Sequence, residues 1–426
     1  MEGTVVESRT GAMADADDGR QAQAASRAVE VDFVPAGMYH LIDRRLYFSA
    51  HESKEQTVEL IKAFPKLFFF SSFIPESYMP FCADFGPLDI ANVLQFVCDI
   101  KEKMDHPLLK SQNRILVFYT SANPAAVTNA AFLMCCYLVL EKGLTPPQAV
   151  ARFSRVAGLP IVPFRDATWN RSTFHLTILD CLEGLQRAIS LKWIDQRTFS
   201  TSDYEALCEQ PEHDMCRVHP KFVAFATPRN RPNEEFKCAR PPSAHTRHFG
   251  RLGVTDVVRL CEEGFYDDSD FASGFAHHAL EFDDCTSPPA EVVERFLDIC
   301  DASGGGTVAV HCLAGLGRTG TLIACHMIKH SGFSAAEAIG YLRLMRPGSV
   351  IGPQQHFLES IEAASWRGNR PLLGGESACE GAGEPQVAEV ADSLRALTMG
   401  RDVATGSAIR LDAKARSRAT LPGEDS

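Results

Sequence analysis

Two segments far apart in this chain carry the same pattern. The first reads ILVFYTSANPAAVTNAAFLMCCYLVLEKGLTPPQAV from Ile115, and the second reads TVAVHCLAGLGRTGTLIACHMIKHSGFSAAEAI from Thr307. Each has a short β-branched or aromatic run, a loop, an apolar helical stretch, a glycine, and then Thr or Ser opening a second helical start. In the second segment Ser334, with Glu337 three positions on, forms a capping box. Self-similarity on this scale bounds the architecture before any motif does. Strand, loop and helix also recur in any α/β protein, so the pattern alone admits either a duplicated domain or a coincidence of common parts. Laying Thr120 on Cys312 puts Ala126 on Arg318, so a true repeat has one copy without the reactive groups of the other.

Between the copies, STFHLTILDCLEGLQRAISLKWIDQRTF has apolar spacing that predicts a long helix within residues 172–214. The expected organisation is α/β: a domain over 31–171, a helical linker over 172–214 and a second, similar domain over 215–368. Residues 1–30 are rich in Ala, Asp, Gln and Ser, and 369–426 open on a Gly-, Pro- and Glu-rich run, so both ends are predicted to be disordered tails. With 426 residues, 45% of them hydrophobic and 23% charged, the chain has enough apolar material for a sizeable core.

Charge and cysteine usage narrow the class of protein. The formal net charge of −12 disfavours nonspecific nucleic-acid binding and suits basic partners. The 14 cysteines are scattered without a Cys-x-x-Cys pair, and no apolar secretory segment precedes them, so a reduced, intracellular setting is expected. NAAFLMCCYLVL (129–140) is shorter than the ~20 residues of a membrane span and predicts a buried helix. Glu2 after the initiator and the terminal GEDS match neither myristoylation nor prenylation patterns, so no membrane insertion is expected.

VAVHCLAGLGRTGTLIAC (308–325) is where the chain carries chemistry. A strand delivers His311 and Cys312 into the loop Leu313, Ala314, Gly315, Leu316 and Gly317, then Arg318, with a helix predicted to start near Thr319. Glycines let backbone N–H groups turn inward, and a helix N-terminus adds partial positive charge, so the loop is suited to holding a phosphate dianion. The same field favours a thiolate, which makes Cys312 a nucleophile. Arg318 offers a planar fork that grips two phosphate oxygens, and the Thr319 hydroxyl is placed to donate to the thiolate.

A leaving oxygen also needs a proton. Upstream, LEFDDCTSPPAEVVERFLDIC offers two carboxyls before a proline loop, Asp283 and Asp284, and sequence alone does not choose between them. No metal or cofactor is expected: the histidines lack ligand spacing, and His277 and His278 are merely adjacent. Cys285, beside the acid, raises the question of a disulfide to an oxidised Cys312.

These residues, with RPGSVIGPQQHFL (346–358), PFRDATWNRSTFHLTILDCLEGL (163–185) and FCADFGPLDIANV (81–93), are similar to the cell-division-cycle-fourteen family of dual-specificity, protein-tyrosine-phosphatase-like phosphatases. The blocks run in family order across about residues 35–366. The resemblance implies tandem dual-specificity-phosphatase-like domains, mixed sheets flanked by helices, with the first copy inactive and contributing to a substrate groove. It implies Cys312 as nucleophile, Arg318 as phosphate ligand, Asp284 as general acid and base, and Gln354 and Gln355 as the segment that places water on the phosphocysteine.

As substrates the resemblance implies phosphoproteins, above all proline-directed phosphoserine sites with nearby basic residues, in cell-cycle or mitotic-exit control. Nucleus, cytoplasm, nucleolus and microtubule-organising centre all fit. The chain departs from the family at Leu313 for a usual lysine, at Cys285 for a loop glycine, and at TPPQAV (145–150) for an acidic stretch. Two rivals are a phosphoinositide phosphatase, disfavoured because Leu313 and Leu316 add no cation to the loop, and a non-catalytic phosphopeptide-binding scaffold, disfavoured because Cys312, Arg318 and Asp284 are all present.

Overall fold

The look-alike segments occupy the same slot in two sheets. The computed structural model describes residues 33–363 apart from 35–37, 43–44, 155–157, 209, 211, 231–238 and 273, so both predicted tails lie outside the described residues. One sheet holds β1 (Phe33–Val34), β2 (Met38–Ile42), β3 (Leu46–His51), β4 (Leu67–Phe70) and β5 (Ile115–Ser121), in the order β1-β2-β3-β5-β4. The other holds β6 (Met215–His219), β7 (Phe222–Ala226), β8 (Val254–Arg259), β9 (Ala276–Ala279) and β10 (Thr307–Cys312), in the order β6-β7-β10-β8-β9.

The shared frame is four strands. β5 lies parallel to β3 and β4, and β2 pairs antiparallel with β3. β10 lies parallel to β7 and β8, and β6 pairs antiparallel with β7. The fifth strand differs: β1 extends the antiparallel edge of the first sheet, whereas β9 extends the parallel edge of the second. Every residue of β10 is buried, as befits a parallel strand covered on both faces.

Each central strand feeds a buried helix. Pro124–Leu140 begins on Asn123, whose side chain accepts from the Ala125 N–H, with proline in the first turn. It is buried on every side from Ala126 to Val139, which accounts for a sequence that is apolar apart from Thr128 and Asn129. Gly317–Ser331 holds the equivalent place after β10, and the next helix, Ala335–Met345, starts with the capping box of Ser334 and Glu337. Thr120 ends up buried near the close of β5, and Ala126 is buried in the first turn of its helix.

The long linker helix predicted over 172–214 is instead two short ones, Ile178–Ser190 and Thr201–Cys208. Thr177 and Asp180 cap the first reciprocally. It stops because Lys192 turns left-handed (φ +61°) while the Trp193 N–H bonds back to the Ala188 carbonyl. That turn frees the Trp193 ring to stack on Phe333 at 5.2 Å.

The helix Ile178–Ser190 packs closely on the helix Ala335–Met345. Gly184 and Gly340 permit the approach: a Cβ at Gly184 would stand 2.3 Å from the Glu337 carbonyl oxygen, and one at Gly340 would stand 2.8 Å from the Cys181 Cα. Arg187 grips the Glu337 carboxylate through Nε (2.8 Å) and Nη2 (3.0 Å). One hydrophobic cluster runs from Phe118 and Phe132 of the first half through Cys181 and Leu185 to Leu322 and Tyr341 of the second.

Cys208 and Cys216 stand side by side, with Cα atoms 5.0 Å apart, where β6 meets the helix that ends at Cys208. Among the described residues, no helix is long and apolar enough to cross a membrane.

Candidate active site

β10 ends on Cys312, which is buried, and the helix starts at Gly317, two residues earlier than the sequence predicts. Arg318 and Thr319 therefore lie in the first helical turn. The loop between is shaped from outside. The Thr227 hydroxyl donates to the Cys312 carbonyl (2.6 Å) and the Thr227 N–H to the Leu313 carbonyl (3.0 Å). Arg346 donates to the carbonyls of Ala314 (Nη2, 2.9 Å) and Gly315 (Nε, 2.9 Å), with Nη2 also 3.0 Å from Asp214 Oδ1.

Four successive carbonyls are thus held on the outer side. In a trans peptide the N–H points opposite to the carbonyl, so the amides that follow Cys312 turn toward the inside of the loop. Gly315 is required here: it sits at φ +65°, and a Cβ would stand 2.1 Å from the Phe225 carbonyl oxygen. Those inward amides together with the helix start make an anion cradle. Leu313 is half-buried and Ala314 exposed, whereas Gly315, Leu316 and Gly317 are buried.

Arg318 is fixed at the far side of the loop. Its Nη1 donates to the carbonyls of Leu260 (3.1 Å) and Phe282 (2.8 Å), and its Nε lies 3.1 Å from Asp284 Oδ1 without hydrogen-bond alignment. Burial pulls the guanidinium down, but the fields of Cys312, Asp284, Cys261 and Glu262 outweigh it and raise Arg318 above its ordinary value. Arg318 Nη2 and Thr319 Oγ1 are buried without a hydrogen-bond partner among the described residues. Both are of the type that an oxyanion or a thiolate would engage.

The two aspartates part company. Asp284 is half-buried against Arg318, whereas Asp283 is exposed and its carbonyl accepts from the Thr286 hydroxyl (2.7 Å). Cys285 takes the left-handed conformation (φ +59°). That is the conformation for which glycine is the ordinary residue.

The glutamines also separate. Gln354 Nε2 donates to the Thr286 carbonyl (3.0 Å) and Gln354 Oε1 accepts from the Ile351 N–H (3.1 Å), so this side chain ties the glutamine loop to the acid loop. It lies over Gly317, where a Cβ would meet Gln354 Oε1 at 3.0 Å. Gln355 points away, its Oε1 accepting from Arg343 Nη2 (2.8 Å) in the core.

Sequence reading missed the support behind the loop. His311 Nε2 lies 2.8 Å from the Tyr266 hydroxyl, which in turn lies 3.0 Å from His277 Nε2. Burial drives His311 well below its ordinary value, so the ring is neutral. The adjacent pair splits accordingly: His278 pairs with Asp256 (2.8 Å) while His277 joins this chain. Thr227 and Arg343 carry no local motif either, and Arg346 opens the RPGSVIGPQQHFL block without a role read from it; all three are buried polar residues. Among the described residues, no group of three or more His, Cys, Asp or Glu side chains is placed to hold a metal.

Comparison with known proteins places this geometry. Residues 40–188 match the family model described as dual specificity protein phosphatase, N-terminal half, and residues 240–332 match one described as polymorphic toxin system, DSP-PTPase phosphatase. The dual specificity protein phosphatase CDC14AB of Danio rerio is 36% identical over 363 residues, covering 84% of this chain and 57% of its own. The chain belongs to the CDC14 family.

Within that family, human dual specificity protein phosphatase CDC14A is 40% identical over 294 residues, covering 68% of this chain and 48% of its own. The tyrosine-protein phosphatase CDC14 of Saccharomyces cerevisiae (strain ATCC 204508 / S288c) is 35% identical over 324 residues, covering 74% of this chain and 57% of its own. The chain thus spans about half the length of the curated CDC14 relatives it matches. The solved structure titled Tk-PTP in the active form is 24% identical, covering 35% of this chain and 96% of that one at a TM-score of 0.30.

Proposed function

We propose that this chain is a protein phosphatase that hydrolyses phosphoserine, phosphothreonine and phosphotyrosine through a phosphocysteine. The observation that carries the reading is the meeting of Cys312 and Arg318 on one buried loop, with the Asp284 carboxylate 3.1 Å from the arginine. In the first step the Cys312 thiolate attacks phosphorus, the bond to the ester oxygen breaks, and Asp284 gives that oxygen its proton. In the second, water attacks the phosphocysteine, Asp284 accepts the water's proton, and phosphate leaves as the thiolate returns. Arg318 and the loop amides hold the equatorial oxygens in both transition states. Thr319 donates to the thiolate, and Gln354 is the glutamine that orients water, because it lies over Gly317 and reaches the Asp284 loop, whereas Gln355 is turned into the core on Arg343.

The first repeat, with Thr120 and Ala126 in place of nucleophile and arginine, acts in this reading as a non-catalytic half that contributes to substrate binding. The preferred targets are proline-directed phosphoserine sites, in cell-cycle and mitotic-exit control. TPPQAV, lacking the carboxylates of the family's acidic stretch, weakens the preference for a nearby basic residue.

Two measurements test this. Cys312→Ser should abolish turnover of both an aryl phosphate and a phosphoserine-proline peptide; retained activity sinks the mechanism. Asp284→Ala should slow the peptide by about 100-fold and the aryl phosphate far less, since an aryl oxide leaves without a proton. If Asp283→Ala behaves that way instead, the acid is the other aspartate.

A further inference from the structure

The glutamine loop is held from both halves of the molecule. Its backbone is strained: Val350, a β-branched residue, sits at φ +60°, between Gly348 at +83° and Gly352 at +55°. Such conformations persist only where the surroundings impose them. From below, Arg343 donates to the carbonyls of Ser349 (Nε, 3.0 Å) and Val350 (Nη2, 2.9 Å), and through Gln355 to the carbonyl of Gly352 (3.2 Å). From the first half, the buried carboxylate of Asp166 accepts the Gly352 N–H through Oδ2 at 2.8 Å.

Gly352 stands two residues before Gln354, whose amide reaches the acid loop at Thr286. Asp166 therefore fixes the backbone from which the water-placing side chain projects. We infer that Asp166 is a positioning residue for hydrolysis of the phosphocysteine, so that the first half contributes to the second chemical step as well as to substrate binding. This rests on the phosphocysteine reading above. The first step does not use Gln354, so a loosened Gly352 should leave attack by Cys312 intact and slow only the departure of phosphate. Burial pushes Arg343 down, and Asp166 leads the charges that oppose it, which ties the same carboxylate to the loop's other support.

The test is kinetic, on the full chain with p-nitrophenyl phosphate in rapid mixing. Asp166→Ala should keep the rate constant for release of the first nitrophenol within about twofold of the parent. Steady-state turnover should fall about 10- to 100-fold, the range expected for a small misplacement of a reacting group. Acid-quenched protein from labelled substrate should then hold more phosphoenzyme than the parent. Asp166→Asn keeps an acceptor for the Gly352 N–H and should restore most of the turnover. Gln354→Ala should share the signature of Asp166→Ala. Partial unfolding would lower turnover per mole of protein and the trapped phosphoenzyme together, so turnover is taken relative to the burst amplitude, and the rise in phosphoenzyme separates a slowed second step from lost folding. Parallel loss of both rate constants in Asp166→Ala, or parental behaviour in both, overturns the proposal while a labelled parent leaves the phosphocysteine reading standing. No labelled protein in any variant overturns that reading itself.

Discussion

At the scale of single residues, the Asp284 loop combines a carboxylate set beside an arginine with a conformational cost. Asp284 is held near Arg318, and the next residue, Cys285, occupies backbone space that favours glycine. A side chain at such φ costs about 1–2 kcal/mol, against about 0.5–1 kcal/mol for the extra unfolded freedom of glycine. Cys285→Gly should therefore melt above Cys285→Ala by the equivalent of about 1 kcal/mol in a thermal unfolding series. Both variants lack the sulfur, so Cys285→Gly melting below Cys285→Ala would show that the strain is absent. Cys312, Arg318 and Thr319 were legible in the sequence because the loop's chemistry is contiguous. Asp284 was singled out only by the family resemblance and Gln354 only as one of a pair, because the choice between neighbours is made by where Arg318 and Arg343 lie. Asp166 was not legible as a loop support at all: its partner is an N–H, which every residue but proline offers, and it lies in the other half of the chain.

At the scale of elements, the contact between Ile178–Ser190 and Ala335–Met345 depends on missing side chains. In an open helical position alanine is favoured over glycine by about 1 kcal/mol. At Gly184 the added Cβ would meet backbone at 2.3 Å, and overpacking of that kind costs about 1–3 kcal/mol or more. The clash should win, so Gly184→Ala should lower the melting temperature. Gly250→Ala, in the helix Pro242–Leu252 with nothing near its Cβ, should raise it. If both substitutions stabilise, the tight crossing is not real. Helical periodicity placed an apolar helix in this region correctly, yet it ran the helix past Lys192. The stop is tertiary: Trp193 turns away to reach Phe333, and no local proline or glycine announces it.

Across the whole molecule, buried histidines link folding to pH. Burial lowers His219, His245 and His326 to about 3 each, against an ordinary value of 6.5. Above pH 6.5 these rings are neutral in both folded and unfolded chains and contribute no pH dependence. As pH falls below 6.5 the unfolded chain binds protons that the folded one refuses, so stability is lost from there down toward pH 3. The loss is about 2 kcal/mol per such histidine at pH 5. Melting temperature should fall steadily between pH 6.5 and 5, and His326→Gln should flatten that slope; an unchanged slope would remove His326 from the account. The doubled α/β frame was legible at this scale because parallel strands buried on both faces announce themselves as apolar runs, as in ILVFY and TVAV. The opposite placement of β1 and β9 was not, since short edge strands carry no comparable run.

The apolar cluster that passes through Cys181 and Leu185 has a consequence for anyone wishing to take the molecule apart. Beads on a string can be cut between beads; the helix Ile178–Ser190 offers no such place. A scissor anywhere along Ile178–Ser190 would strip a greasy face from each fragment and leave the glutamine loop without the Asp166 carboxylate that holds Gly352. The second half is better pictured as one side of an arch whose keystone is the linker, standing only while the other side leans against it.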